Sequence, residues 1–331
     1  MELTAAEEYA AFGPWVDEVP DAGQVPRVFR SHPIDFGQAS LVLKIPRDIP
    51  RRDAHPGMDL YEALVIVDAS ATTVLTRDGS SFAARSVSHG SLVAVSNSSD
   101  LLDGRLELVV SDGPPLVIGY NGSSQQNLER LVRLLRGFAP APRAGAAAVP
   151  FPVLAPTGAS VASASGVRQP DARADAPRDV PVLDPAGQDY GLLSEWWALL
   201  AREPELGLAF ERVAGYPARV VAPIDGGLTR ALHRVRPMLL QGAIVGETPT
   251  EVHLIHRRAW LHRSTKEDLS IAHTVIFRHA AATYDVVPHP KYADTTTLRV
   301  TPASAAAPAP AAASAGAAAP PLELHVPTPR P

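Results

Sequence analysis

The sequence predicts an α+β fold that is mainly β: two small units built of short strands with a few helices, joined by a proline- and alanine-rich linker. Three observations carry this. Short apolar runs, some bounded by Asp-Gly or proline turn signals, recur between residues 61 and 120 and again between 242 and 300. One amphipathic helix pattern spans 123–138. Between the two strand-rich regions, residues 139–185 are dominated by Ala, Pro, Ser, Gly, Arg and Asp without periodicity, the composition of a flexible linker.

In chain order, residues 1–23 are acidic and read as a short helix or arm. Residues 24–60 alternate basic and apolar positions between prolines, with one strand at Ser40–Ile45 stopped by Pro46. A meander follows: Glu62–Val67, then Ala71–Thr76 ending in the turn Arg77-Asp78-Gly79. Its later strands are Ser91–Val95, Arg105–Val110 and Leu116–Tyr120, with the turn Ser111-Asp112-Gly113 before the last. Ser123 followed by Gln126 fits a capping box. Leu128, Leu131, Val132, Leu135 and Phe138 then form one helical stripe, and Gly137 is placed to end the helix.

Order is expected to resume near Tyr190. Leu192, Leu193, Trp196, Trp197, Leu199 and Leu200 predict a strongly apolar helix that stops before Pro204, and Gly227–Arg236 is a second helical candidate. Adjacent helical residues point about 100° apart, so Trp196 and Trp197 are both buried only if the helix is covered on two sides. Strand patterns return at 242–245, 251–256, 259–262, 271–277, 283–287 and 296–300. A final one lies at Leu322–Val326, after an Ala/Pro/Ser tract at 303–320. The expected organisation is thus an arm (1–23), a β domain with a closing helix (24–138), a linker (139–185) and a second β-rich domain (186–331).

Composition removes several functions. The 331-residue chain has no cysteine, which excludes disulfide scaffolds, thiolate metal sites and a cysteine nucleophile. A formal charge of −5 argues against general nucleic-acid binding, which needs a cationic surface to displace counterions. Phosphate-binding glycine loops, H-E-x-x-H and G-x-S-x-G are all absent. The acidic start Met1–Glu8 lacks the basic-then-apolar pattern of a signal peptide, and no run reaches the roughly 18 apolar residues of a membrane span. The expectation is a cytoplasmic protein without membrane insertion.

The two strand-rich regions align loosely as copies. Residues 101–110 lie against 291–300, Gly113–Ile118 against Ala319–Leu324 with the Ala/Pro tract inserted before it, and Glu62–Val67 against Glu251–His256. A meander closed by one C-terminal amphipathic helix, with Asp103-Gly104-Arg105-Leu106-Glu107-Leu108 before a later Asp112-Gly113 turn, resembles bacterial pleckstrin-homology-like domains. The resemblance covers residues 61–138 well and the second region more weakly, since no closing helix follows residue 326 there. It implies a binding or assembly module and leaves the ligand open.

Candidate sites are few. The basic cluster Arg257, Arg258, His262, Arg263 and Lys266 lies on and between two expected strands. In pleckstrin-homology-like domains such an edge often meets lipid headgroups, so the resemblance makes these the binding candidates. Glu267 and Asp268 oppose them, leaving only about 2 kcal/mol toward an anionic surface. A second basic stretch comprises Arg27, Arg30, Arg47, Arg51 and Arg52. Seven of the 11 histidines lie from His233 to His289. His253 and His256, an odd number apart on one strand, face opposite ways and cannot chelate together; half-exposed strand histidines are the simpler reading. No catalytic residue, metal ligand set or cofactor is indicated. The expected function is a non-catalytic binding or scaffold protein with an unknown protein partner. The alternatives are a metal-dependent enzyme using the histidine-rich region, or a headgroup binder.

Overall fold

In the computed structural model the strand at Ser40–Ile45 becomes β2 (Leu41–Pro46), paired with β1 (Asp17–Glu18) on one side and β3 (Tyr61–Val67) on the other. A register shift falls at Ile45/Pro46, where proline has no N–H for the ladder. β4 (Ala71–Asp78) and β5 (Ser81–Ser88) complete a five-stranded antiparallel sheet in chain order. Gly79 takes φ 61° in the β4–β5 turn, a conformation glycine adopts without a Cβ penalty. The structure describes residues 2–139, 183–224, 233, 236–263, 268–278, 282–293, 295–302 and 322–327. The expected linker, the 303–320 tract and most of the helical candidate Gly227–Arg236 fall outside them.

The chain divides into two compact units. The first comprises residues 1–147, 272–283 and 301–322. After β5 come β6 (Leu92–Asp100), β7 (Asp103–Val110) and β8 (Leu116–Asn121), an antiparallel meander. Its open edge at β6 is covered by the strand Ile271–Phe277, from far along the chain. Ser96 and Thr274 share a hydroxyl hydrogen bond of 2.8 Å, and Val275 and Phe277 join the first unit's core. Residues 272–283, expected in the second domain, therefore pack in the first unit.

Helix α1 (Ala5–Ala11) begins the chain and α2 (Gln125–Phe138) closes the meander. Leu128, Leu131, Val132 and Leu135 bury one stripe of α2 against both sheets, as the periodicity predicts. The expected capping box does not form. Asn121 accepts from Ser123 N–H and from its hydroxyl, making a short turn, and the Ser124 hydroxyl accepts from Val16 N–H at 2.8 Å. The helix also runs through Gly137 to Phe138, one residue past the expected stop.

Residues 1–23 are stitched down rather than free. Asn127 donates to Val16 O at 2.6 Å, Arg130 pairs with Glu18, and Phe12 and Val19 lie in a second apolar cluster with Phe29, Leu60 and Leu64. Three arginines of the basic stretch serve the same end. Arg27 meets buried Glu8 at 3.4 Å and donates to Met58 O, Arg30 donates to Leu3 O, and Arg51 donates to Phe12 O beside the Tyr9 ring.

The second unit comprises residues 148–271, 284–300 and 323–331. Asp189 caps α3 (Tyr190–Arg202), and Pro204 at the first position of α4 (Pro204–Ala209) follows at once. The strands are β9 (Arg212–Tyr216), β10 (Arg219–Val221), β11 (Met238–Leu240), β12 (Ala243–Glu247), β13 (Glu251–His256) and β14 (Leu261–His262). After Ile271–Phe277, counted as β15, come β16 (Ala282–Pro288), β17 (Thr295–Pro302) and β18 (Leu322–Pro327). β13, β12 and β9 form an antiparallel sheet in that order. Helix α3 packs on it through Leu192, Leu193, Trp196 and Leu199 against Ile244 and Ile255. Trp196 stacks on Phe210 at 5.1 Å above Gly246, where an added Cβ would lie 2.5 Å from Phe210. Trp197 is half exposed, so the helix is covered on one side only. Two three-stranded sheets, β10-β11-β14 and β16-β17-β18, complete the unit. The copies aligned in the sequence fall on β7 and β17, then β8 and β18, neighbours in their respective sheets.

Candidate functional site

The first candidate lies where β13 ends. Arg257, drawn from the expected basic edge, turns inward and is 3% exposed. Its Nε donates to Asp189 Oδ2 at 3.0 Å, one terminal nitrogen to both Asp189 oxygens at 2.6 and 2.7 Å, and the other to Ser270 O at 2.9 Å. Asp189 also accepts Gly191 N–H at 2.8 Å, so one carboxylate caps α3 and neutralises the arginine. A Cβ on Gly191 would sit 2.8 Å from the guanidinium, so a larger residue there would have to displace the arginine's tip.

Above this pair opens a cleft of about 440 Å³, lined by Gly187, Gln188, Tyr190, Ala218, Leu269 and Ile271 with the ion pair in its wall. Tyr190 and Leu269 are exposed at 86% and 57%. The cleft offers apolar surface and backbone groups. The arginine's charge is already matched, so the site has little pull on an anion.

Three of the other basic candidates are described. Arg258 donates its backbone N–H to Ser270 Oγ at 2.9 Å. His262 is half-buried on β14, and Arg263 donates to His233 Nε2 at 2.9 Å. Lys266 lies outside the described residues. The sequence marks the positive charge of Arg257 but not its burial, because its partner is 68 residues away.

The histidines separate as strand parity requires. His253 packs edge-on against Phe210 and meets Glu251 at 2.9 Å, while His256 stacks on Trp260 with centroids 4.3 Å apart. His289 accepts the N–H groups of Lys291 and Tyr292 at Nδ1 and meets His325 edge to face. Among the described residues, no three His, Asp or Glu side chains converge as a metal ion would need.

Burial holds His256 down from 6.5 to about 4, opposed by its Nδ1–H bond to Arg257 O. The unfolded chain therefore takes up this proton first. Its contribution is full above pH 6.5 and is lost as pH falls through the window down to about 4, by about 3 kcal/mol. Burial lowers His89, His289 and His325 in the same sense. Urea unfolding at pH 7 and pH 4.5 should show a smaller acid loss in His256→Gln than in the parent chain; an equal loss would place the acid sensitivity elsewhere.

A second candidate sits in the first unit at the β6–β7 hairpin tip. Asp100 pairs with Asp103, leaving Leu101 and Leu102 as the two-residue loop, 77% and 65% exposed. Leu101 takes φ 53°, the single positive φ at a non-glycine position among the described residues. Glycine is favoured at the first loop position when its φ is positive. From below, Gly122 N–H donates to Leu102 O at 2.8 Å, and a Cβ on Gly122 would lie 2.2 Å from Leu101 O. The tip is thus seated on the short turn that precedes α2. The signal the sequence offered was two leucines standing where turn residues belong.

Compared with known proteins, the chain matches no family model, no curated relative and no solved structure. No helix among the described residues is long and apolar enough to cross a membrane.

Proposed function

We propose that this protein is a non-catalytic binding or scaffold protein of the cytoplasm, built on pleckstrin-homology-like units, and that the β6–β7 tip is its contact with a protein partner. In the first unit, the order of a four-strand run (β2–β5), a three-strand run (β6–β8) and a closing helix (α2) supports the fold part of this reading. The correspondence of β7–β8 with β17–β18 supports a second, altered copy.

The single observation that carries the binding role is the strained, exposed Leu101-Leu102 pair. A left-handed leucine costs about 1–2 kcal/mol, and nothing in the fold of the hairpin requires leucine there. Two flanking carboxylates, Asp100 and Asp103, disfavour an anionic bilayer. They suit an apolar pocket with a basic rim.

The double variant Leu101→Gly/Leu102→Ser relieves the backbone and removes the apolar tip. Its melting temperature is expected to equal or exceed that of the parent chain. The tagged full-length parent should recover a stoichiometric protein from host lysate that this variant does not. Equal recovery by both chains would remove the tip from the binding surface, and a clean parent lane would count against the adaptor role.

A further inference from the structure

Helix α3 buries one face in the second unit and leaves the opposite face uncovered. Tyr190, Ser194, Trp197 and Ala201 recur at intervals of four, three and four, and all four are exposed. At 100° per residue they fall within a stripe about 60° wide, the seam of a helix that packs against another helix. Aromatic rings on such a stripe are the side chains enriched in interface cores.

The order of sizes is itself informative. Large and small alternate as Tyr, Ser, Trp, Ala, and the positions are symmetric about a point between residues 195 and 196. An antiparallel copy placed on that point sets Tyr190 opposite Ala201 and Trp197 opposite Ser194, with the same pairs repeated by the two-fold. Every ring then meets a small residue, the self-complementarity that an isologous contact requires. A parallel copy would set ring on ring.

The charges agree. The stripe carries none. On its flank, Glu195 and Arg202 of the same helix neutralise each other at 2.7 Å, so two copies approach without like-charge repulsion. Antiparallel helices also bring opposite dipole ends together.

From this match we infer that the exposed face of α3 is a self-association surface, and that the protein forms a two-fold homodimer through antiparallel α3–α3 packing. It is a surface distinct from the hairpin tip, and the two stand or fall separately. One helix pair lies at the small end of specific interfaces, so the dimer is concentration-dependent.

Sedimentation velocity of the full chain should show the monomer passing to a dimer as concentration rises. Trp197→Glu should hold it monomeric with an unchanged melting temperature, because the ring is outside the core. The chain has no cysteine, which permits a direct test of register. Tyr190→Cys/Ala201→Cys should give a covalent dimer on mild oxidation, while either single variant should not. The two positions lie about 16 Å apart along one helix, beyond the reach of an intramolecular disulfide. A parent chain monomeric at every concentration overturns the proposal. So does a dimer indifferent to Trp197→Glu, or a double variant that gives no covalent dimer.

Discussion

Asp189→Ala is expected to destabilise the second unit by about 3–5 kcal/mol, the cost of removing one partner from a buried ion pair. Arg257 is the reason. Its side chain is 4% exposed, and Asp189 accepts from two of its three guanidinium nitrogens. Without that carboxylate a buried cation keeps Ser270 O as its one acceptor among the described residues. The same substitution removes the cap of α3, worth about 1 kcal/mol on its own. Asp189→Asn separates the two effects, since asparagine caps as well as aspartate but carries no charge. Urea unfolding should place Asn close to Ala. A variant that recovers most of the loss with Asn would mean that the cap, and not the ion pair, dominates. A loss below about 1 kcal/mol with Ala would mean that water reaches the guanidinium once its partner is gone.

Leu131→Asp should remove the cooperative unfolding transition of the first unit altogether. Leu131 is fully buried at the centre of the α2 stripe, in a cluster with Leu41, Val65, Leu106 and Leu108. The leucine contributes about 2–3 kcal/mol by burial, and an unpaired carboxyl in its place adds several more of cost. Typical domain stability is only about 5–15 kcal/mol. Gln126→Asp, exposed in the first turn of the same helix, should be neutral or slightly stabilising, because an acid near a helix N-terminus is favoured. Near-ultraviolet circular dichroism and urea titration of the two variants check this. A folded Leu131→Asp protein would show that α2 is an accessory to the sheets rather than part of their core.

Strands with a sustained apolar run were legible in the sequence, whereas the short β9, β10 and β11 were not. Glu251–His256 and Ile271–Phe277 fall where their apolar runs place them, and β3, β8 and β12 differ from expectation by a residue or two. β5 was not legible, because Ser81–Ser88 is exposed at five of eight positions and so carries no hydrophobic alternation. The cap of α2 misled for a different reason. Ser123 and Gln126 have the right spacing, but Asn121 engages Ser123 first, and sequence spacing does not rank competing hydrogen bonds. The candidate site was legible as chemistry and illegible as geometry. Arginine at 257 was visible, yet a partner 68 residues away, in a turn before α3, leaves no local pattern. Leu101 was hidden by convention: a leucine reads as core until its φ and its exposure are known.

The strand Ile271–Phe277 also sets when the first unit can be finished. On the ribosome, residues 1–139 emerge with most of their strands and α2 in hand, but β6 keeps a bare row of backbone donors and acceptors until residue 277 has been made. That interval is about as long as the unit's own first segment, and an open edge is where nascent chains pair wrongly with one another. Ser96, Asn97 and Ser99, polar and partly wet along β6, keep that waiting edge less adhesive than an aliphatic strand would be. Translation speed across residues 140–270 is therefore a determinant of yield for this protein, and stalling there should increase aggregation without altering the stability of the chains that fold.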